Sequence, residues 1–209
     1  RVGRLNDQFP VSRNVASSTA EHRPAAIIGA GAGFNGTQKI VSPAAPSLRF
    51  GDAGFTFSAW VKIAAAQRDA VLFARQDGAD AVSLHIDQTR IYARVARGGK
   101  ARETPRTGEL STGAWHHIAL TAGERLTLYV DGRETAVLDA PAPVLAGYLV
   151  LGASMAGGDF FIGELDEVQI SDIARSADWI KAAASGQGQD AKLVLPGDDE
   201  QEGGGSTSH

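Results

Sequence analysis

The stretch Phe55-Thr-Phe-Ser-Ala-Trp-Val-Lys62 carries an apolar residue at every second position. This alternation of period two is the pattern of a β-strand that buries one of its two faces. One face of the strand would therefore carry Phe55, Phe57, Ala59, Val61 and Ile63. We predict that this face lies in a hydrophobic core and that Trp60 and Lys62 point away from it.

The same alternation recurs along the chain between turn residues, and it predicts many short strands. The predicted strands are 39–41, 55–63, 70–74, 81–87, 90–96, 115–122, 125–130, 133–138, 149–151 and 163–170. Many short strands without alternating helices are typical of an all-β sandwich or barrel. Its core is expected to contain Phe55, Phe57, Val61, Ile118, Leu120, Leu126, Leu128 and Leu165.

Local signals add a tight turn and one short C-terminal helix. Asp131-Gly132 separates two strand-like runs, and both residues tolerate the positive φ angles of a two-residue hairpin turn. Ser176 can cap a helix that has Asp178 in its first turn and ends at Gly186. We expect this helix to pack through Trp179 and Ile180.

Three further phrases follow the first in a fixed order: Trp115-His-His-Ile-Ala-Leu-Thr121, Leu128-Tyr-Val-Asp-Gly132 and Phe161-Ile-Gly-Glu-Leu-Asp-Glu-Val168. Together the four phrases resemble those of laminin-G-like domains in the concanavalin A-like lectin/glucanase superfamily, which read FTxSAWVK, WHHVA, LYVDG and FxGxIDEV. The resemblance extends from about residue 33 to residue 184. It implies a two-sheet antiparallel jelly-roll β-sandwich that binds a glycan or another protein and seldom catalyses.

Composition limits the function classes. The 209 residues, 43% of them apolar, suit one domain, and the absence of cysteine excludes disulfides and thiolate metal sites. A net charge of −4 argues against a nucleic-acid partner, because such proteins need a dominant positive field. No apolar run approaches the roughly 18 to 20 residues that span a bilayer. We expect membrane attachment only through a segment outside this sequence.

The ends of the chain differ in composition from its middle. We predict a lead-in segment at 1–24, the jelly-roll domain at 25–195 and an acidic, glycine-rich linker at 196–209. The stretch from 191 to the end resembles the junction after an exported sandwich domain in some bacterial MotA/TolQ/ExbB-type proton-channel proteins. That resemblance implies an extracytoplasmic domain, periplasmic or at the cell surface, of a larger membrane-anchored protein. A structural spacer or a homo-oligomerisation domain is the alternative to a binding module.

Glu164-Leu-Asp166-Glu167 invites a glycosidase interpretation, because laminarinase-like hydrolases of this fold carry a Glu-x-Asp-x-Glu strand. In that pattern residues i, i+2 and i+4 share one strand face, which brings two carboxylates together. Here position i+4 is Val168, and the bulged form of the motif would place its second glutamate at Gln169. We therefore expect no catalytic residues and no glycan hydrolysis, with a degenerate hydrolase relative as the alternative.

Two histidine-containing sets suggest chemistry but have simpler explanations. His116 and His117 are adjacent on a strand and face opposite ways, so they cannot share a metal; His117 is expected to be semi-buried and hydrogen-bonded. Ser83, His85 and Asp87 share a face, but alternate residues stand ~7 Å apart, which is too far for a nucleophile–base hydrogen bond.

The polar strand faces give the predicted ligand site. A turn at Gln88-Thr89 would form a polar platform around one aromatic ring, by pairing Asp87 with Arg90, His85 with Tyr92 and Ser83 with Arg94. The segment 90–106 is also rich in arginine and lysine, which suits an anionic ligand. The predicted ligand-binding residues are Trp60, Lys62, His85, Arg90, Tyr92 and Arg94. A solvated hairpin, or aromatic rings covered by the N-terminal segment or another protomer, is the alternative.

Calcium is the one metal that the sequence leaves open, because scattered oxygen donors could converge from several loops. The candidates are Asn6, Asp7, Asp52, Asp77, Asp80 and Asp159. No fixed-spacing loop joins them, so we predict no metal site and no cofactor, with Ca²⁺ as the alternative.

Overall fold

The computed structural model describes residues 2–4, 21–23, 31–42, 50–51 and 53–186. Among them are fourteen β-strands and one α-helix. The strands are β1 Val2–Arg4, β2 Glu21–Arg23, β3 Gly31–Asn35, β4 Ile40–Ser42, β5 Phe55–Ile63, β6 Gln67–Asp77, β7 Asp80–Gln88, β8 Arg90–Arg97, β9 Lys100–Glu103, β10 Trp115–Ala122, β11 Leu126–Val130, β12 Arg133–Leu138, β13 Leu149–Leu151 and β14 Ile162–Ser171. The helix, α1, spans Ala177–Gly186.

The strands form two antiparallel sheets. The eight-stranded sheet has the order β12-β11-β10-β5-β14-β3-β2, with β1 also paired to β14. The six-stranded sheet has the order β4-β13-β6-β7-β8-β9. This arrangement confirms the predicted two-sheet antiparallel jelly-roll β-sandwich.

The core lies between the two sheets. All eight core residues expected from the alternation belong to one buried cluster, which draws on both sheets. Aromatic rings fill its centre: Phe55 stacks on Phe50 with ring centroids 4.0 Å apart, and Phe57 stacks on Phe73 at 4.9 Å. Because one face of each strand enters this cluster, the other face of each sheet forms the outside of the sandwich.

The local predictions were confirmed. Asp131 and Gly132 have φ angles of 50° and 75° and join β11 to β12 in a two-residue turn, where Val130 pairs with Arg133. The hydroxyl of Ser176 accepts a hydrogen bond of 3.3 Å from the backbone N–H of Trp179, as an N-cap does. Ile180 is fully buried against Ala119 and Tyr129, so α1 packs on the outer face of the eight-stranded sheet.

Four strands were missing from the sequence prediction. β1 and β2 are three residues long, and β3 contains two glycines, which weaken the strand pattern. β9 has the sequence Lys-Ala-Arg-Glu and lies at the edge of its sheet, where charged residues are common. The predicted boundaries of the lead-in segment and of the linker at 196–209 fall outside the described residues.

Candidate functional site

His85 and Tyr92 lie side by side on the outer face of the six-stranded sheet. They are directly paired between β7 and β8, and their rings stack with centroids 4.6 Å apart and planes 13° from parallel. The guanidinium of Arg106 lies over the ring of Tyr92 at 4.1 Å from its centroid. We call His85, Tyr92 and Arg106 the arginine-capped stack. The predicted pairs Asp87–Arg90, His85–Tyr92 and Ser83–Arg94 are all present.

Carboxylates of the same chain surround the arginine-capped stack. Arg106 contacts Asp87 at 2.7 Å and Asp69 at 3.6 Å, and the hydroxyl of Tyr92 donates to Asp69 at 2.9 Å. Nε of Arg94 donates to Glu103 at 2.8 Å, and this hydrogen bond raises the pKa of Arg94. Tyr92 is only 1% exposed, and burial raises the pKa of its hydroxyl. Its face is therefore not available for a ligand in this arrangement.

The structure corrects the geometric argument about Ser83 and His85. Oγ of Ser83 lies 2.6 Å from Nε2 of His85, which is a hydrogen bond. The estimate of ~7 Å describes the spacing of the two Cα atoms, whereas the side chains lean along the strand toward each other. Asp87 does not complete a triad, because its carboxylate binds Arg106.

Trp60 and Lys62, the other two predicted site residues, lie on the outer face of the eight-stranded sheet. The six predicted residues therefore occupy opposite faces of the sandwich and cannot share one small ligand. Lys62 pairs with Glu164 at 2.9 Å and lies over the ring of Trp115 at 4.9 Å from its centroid. Trp60 is 8% exposed, and its ring meets that of His117 edge-on at 5.5 Å.

His117 differs from its prediction in its degree of burial and in the hydrogen bonding of one ring nitrogen. It is 1% exposed rather than semi-buried, and its Nδ1 has no hydrogen-bond partner in the described structure. Burial lowers the pKa of His117 to about 4, so the imidazole is neutral at neutral pH. His116 points to a different environment, where its Nδ1 lies 2.9 Å from Asp131. The two histidines do not converge, as predicted.

A β-bulge in β14 decides the arrangement of the acidic motif. Asp166 pairs with Trp60 and Gln169 pairs with Ser58, so β14 uses three residues where β5 uses two. Glu167 lies in the bulge with a φ of 45°. Glu164, Asp166 and Gln169 consequently share the outer face, in the bulged form of the hydrolase pattern. The residue at the second glutamate position is an amide, and Glu164 is held by Lys62.

No group of three or more metal-binding side chains is present among the described residues. Of the calcium candidates within them, Asp77 accepts from the backbone N–H of Ala146 at 3.2 Å and Asp80 from that of Gly98 at 2.6 Å. Asn6, Asp7 and Asp52 lie outside the described residues. The Ca²⁺ alternative stays a prediction.

An open pocket of about 380 Å³ lies at one end of the six-stranded sheet, on its outer side. We call it the Tyr148 pocket, and its lining residues are Gln76, Gly78, Tyr148, Met155 and Ala156. Tyr148 is 44% exposed, in contrast to the buried Trp60 and Tyr92. Tyr148 lies beside Gln76 because the next residue, Leu149, pairs with Arg75 in the antiparallel ladder of β13 and β6. Because Leu149 points into the core, Tyr148 points outward.

The wall of the Tyr148 pocket is fixed from beneath by a buried arginine. Arg75 is 1% exposed, lies over the ring of Phe50 at 4.2 Å from its centroid and donates to the carbonyl of Gly147 at 3.0 Å. Burial lowers the pKa of Arg75 to about 10, so it stays charged at neutral pH. A Cβ on Gly147 would lie 2.2 Å from the carbonyl oxygen of Gln76, so only glycine permits this close approach.

The Tyr148 pocket was not predicted from the sequence. Its residues come from the end of β6, the β6–β7 turn and the two segments that flank β13, and none of these segments carries a motif. Tyr148 did precede a predicted strand, but nothing in the sequence marks it as more exposed than Tyr92.

The family follows from a model match over residues 34–181, described as the concanavalin A-like lectin/glucanases superfamily. The chain belongs to this family. No curated protein matches it in sequence. The match confirms the laminin-G-like resemblance drawn from the four phrases.

Solved structures with the same fold include several binding domains. Domain 4 of AbnA, a GH43 extracellular arabinanase from Geobacillus stearothermophilus in complex with arabinotriose, is 20% identical with a TM-score of 0.67, covering 79% of this chain and 81% of that one. The binding domain of Paraclostridial Mosquitocidal Protein 1 is 14% identical with a TM-score of 0.65. The match covers 81% of this chain but only 46% of the length of that chain. A heptameric SAP-like pentraxin from Limulus polyphemus is 20% identical with a TM-score of 0.54, covering 75% and 82%.

These identities establish the fold alone. Among the described residues, no helix is long and apolar enough to cross a membrane.

Proposed function

We propose that this chain is an extracytoplasmic glycan-binding module and that the Tyr148 pocket holds the sugar. The observation that carries the proposal is the exposed ring of Tyr148 beside an open pocket of about 380 Å³. An exposed aromatic ring presents an apolar face to the C–H face of a sugar, while its hydroxyl stays in water. The volume suits one or two sugar rings, since small-ligand sites span about 300 to 1,000 Å³.

The polar groups of the pocket fit a neutral sugar. The amide of Gln76 can both donate and accept, and its Nε2 already donates to the carbonyl of Gly78 at 2.8 Å, which fixes its orientation. The pocket-lining residues include no charged side chain. A hydroxyl-rich, uncharged ligand matches this set better than an anion does.

Two arginines at the predicted platform, Arg94 of the prediction and Arg106 found in the structure, also favour a neutral ligand. Arg94 and Arg106 are engaged by Glu103, Asp87 and Asp69. An anionic ligand would have to displace these carboxylates, with loss of the ion pairs that they make. The prediction that Arg90, Tyr92 and Arg94 bind an anionic ligand therefore requires Arg106 to move away from the face of Tyr92.

The experiment is calorimetric titration of the purified chain with a panel of neutral oligosaccharides that includes arabinotriose. We expect at least one of them to bind, and Tyr148→Ala to weaken that binding about tenfold, since aromatic packing contributes about 0.5 to 1.5 kcal/mol beyond area burial. Tyr148→Phe keeps the ring and should retain the affinity. Equal affinity of Tyr148→Ala and the parent for every bound sugar would contradict the proposal.

The larger context remains a prediction that rests on the sequence. The similarity to MotA/TolQ/ExbB-type proton-channel proteins depends on the tail, which lies outside the described residues. Attachment to a membrane, periplasmic or surface location and oligomerisation through a parent protein depend on the same segment. The glycan-facing role is supported by the superfamily, whose description covers lectins and glucanases.

A further inference from the structure

We propose that Ser83 is a reactive serine, activated by His85 as its general base, and that activated esters acylate it at Oγ. This inference is independent of the sugar pocket. It starts from the hydrogen bond of 2.6 Å between Oγ of Ser83 and Nε2 of His85. A serine and a base within hydrogen-bond reach, with the base oriented by a third group, is the arrangement that activates serine nucleophiles.

The surroundings of His85 assign its tautomer. Its Nδ1 lies 3.4 Å from the backbone carbonyl oxygen of Asp69, which can only accept a hydrogen bond. Nδ1 therefore carries the ring proton, and Nε2 offers its lone pair to the hydroxyl of Ser83. The group that orients the histidine is therefore the main-chain carbonyl of Asp69, and the carboxylate of Asp87 does not take this role.

The orientation of the His85 ring is fixed on both sides. Tyr92 stacks on it at 4.6 Å, and Arg106 holds Tyr92 from the far side at 4.1 Å. Irregularities in β6 bring Asp69 to the ring, because the register with β7 shifts between Gln67 and Ala70. Asp69 itself has a φ of 49°. Bulges are known to re-aim groups beside active sites, and here the bulge aims a carbonyl at Nδ1.

The electrostatic setting keeps His85 in the form that a base needs. Burial lowers the pKa of His85, and the charged groups facing it are Asp69 on β6, Arg94 on β8 and Glu103 on β9. Arg94 is paired directly opposite Ser83 and its side chain is 47% exposed. Ser83 is itself half-buried rather than sealed in the core.

The step conserves atoms and charge. Oγ of Ser83 attacks the carbonyl carbon of an ester, and its proton passes to Nε2 of His85. The bond from the acyl carbon to the leaving oxygen then breaks, and the proton moves from Nε2 to that oxygen or to water. The products are an acyl ester on Ser83 and the free alcohol. No further reactant is required.

The test is acetylation of the purified chain by p-nitrophenyl acetate, followed by release of p-nitrophenolate and by peptide mass mapping. We expect one acetyl group on the peptide that contains Ser83. Ser83→Ala should remove it, and His85→Asn should slow its formation about 100-fold or more, because general bases contribute that much. The rate should stay level as the pH falls through 6.5 and decline only below that value.

Matched variants separate reactivity from folding. Ser185→Ala changes an exposed serine whose hydroxyl donates to the backbone carbonyl of Lys181 at 3.0 Å, and this variant should be acetylated at Ser83 like the parent. Ser83→Cys should recover acylation, now as a thioester, which would show that loss in Ser83→Ala is not caused by misfolding. Acetylation at Ser83 that is unchanged in His85→Asn, or acetyl groups only at other residues, would overturn the proposal.

Discussion

Phe57 lies at the centre of the core, fully buried, with its ring stacked on that of Phe73 at 4.9 Å. Replacing Phe57 with alanine leaves a cavity between the two sheets, so we expect the free energy of unfolding to fall by about 3 to 5 kcal/mol. Urea titration followed by tryptophan fluorescence measures the loss. An unchanged unfolding midpoint would show that Phe57 does not face the core.

His117 gives the stability of the domain a pH dependence. Burial lowers its pKa from 6.5 to about 4, whereas the unfolded chain keeps the ordinary value. Between these two values the unfolded state binds more protons than the folded state, so the free energy of unfolding falls as the pH falls. The contribution of His117 reaches roughly 3 kcal/mol at the acidic end. His85, whose pKa is also lowered by burial, acts in the same direction.

Urea unfolding of the parent and of His117→Gln at pH 7.5 and pH 4.5 measures this effect. Both proteins lose stability on acidification through their other groups, so the decisive quantity is the difference between them. We expect the parent to lose more than the variant does. The same loss in both proteins would mean that His117 titrates normally in the folded chain.

At the scale of elements, the segment before β13 holds Tyr148 because its backbone comes unusually close to β6. Gly147→Ala would place a methyl group 2.2 Å from the carbonyl oxygen of Gln76, and the segment would have to shift. We expect a stability loss of roughly 1 to 3 kcal/mol and weaker sugar binding. Gly51→Ala is the matched control, since a Cβ there meets nothing within 4 Å. Equal melting temperatures for the two variants would contradict the close approach.

The bulge in β14 leads to a prediction about catalysis. Glu164 and Asp166 lie on one outer face with Gln169 in the position where a retaining glycosidase needs its second carboxylic acid. An amide cannot deliver a proton to a leaving sugar, so we expect no cleavage of β-glucans. Product analysis after long incubation checks this expectation. Turnover that disappears in Glu164→Gln would refute it.

At the scale of the whole molecule, period-two alternation predicted the architecture because one face of every long strand is buried. The bounds of β5, β10, β12 and β13 matched residue for residue. Short or edge strands such as β9 were missed, since their side chains are largely exposed and carry no alternation. Such a strand forms because its backbone pairs with a neighbouring strand, and its own residues show little preference for the extended conformation.

The candidate site was less predictable than the fold. The pairing of His85 with Tyr92 could be predicted from the turn that joins β7 to β8. The ring of Tyr92 is covered by Arg106, however, which lies after β9 in the sequence and was not part of that prediction. The Tyr148 pocket depends on loop segments and on Arg75 beneath them, which no short-range pattern connects. The contact of Ser83 with His85 was not predicted either, because the spacing of residues along a strand does not show how far their side chains lean toward each other.

The most direct test of the account is amide chemical-shift mapping by NMR while the oligosaccharide that binds best in calorimetry is added to the ¹⁵N-labelled chain. We expect the largest shifts on the lining residues of the Tyr148 pocket, which are Gln76, Gly78, Tyr148, Met155 and Ala156. The amides of β14 and β5 around Glu164 and Trp60 should stay unchanged. Shifts concentrated on the outer face of the eight-stranded sheet, with none at the Tyr148 pocket, would contradict it.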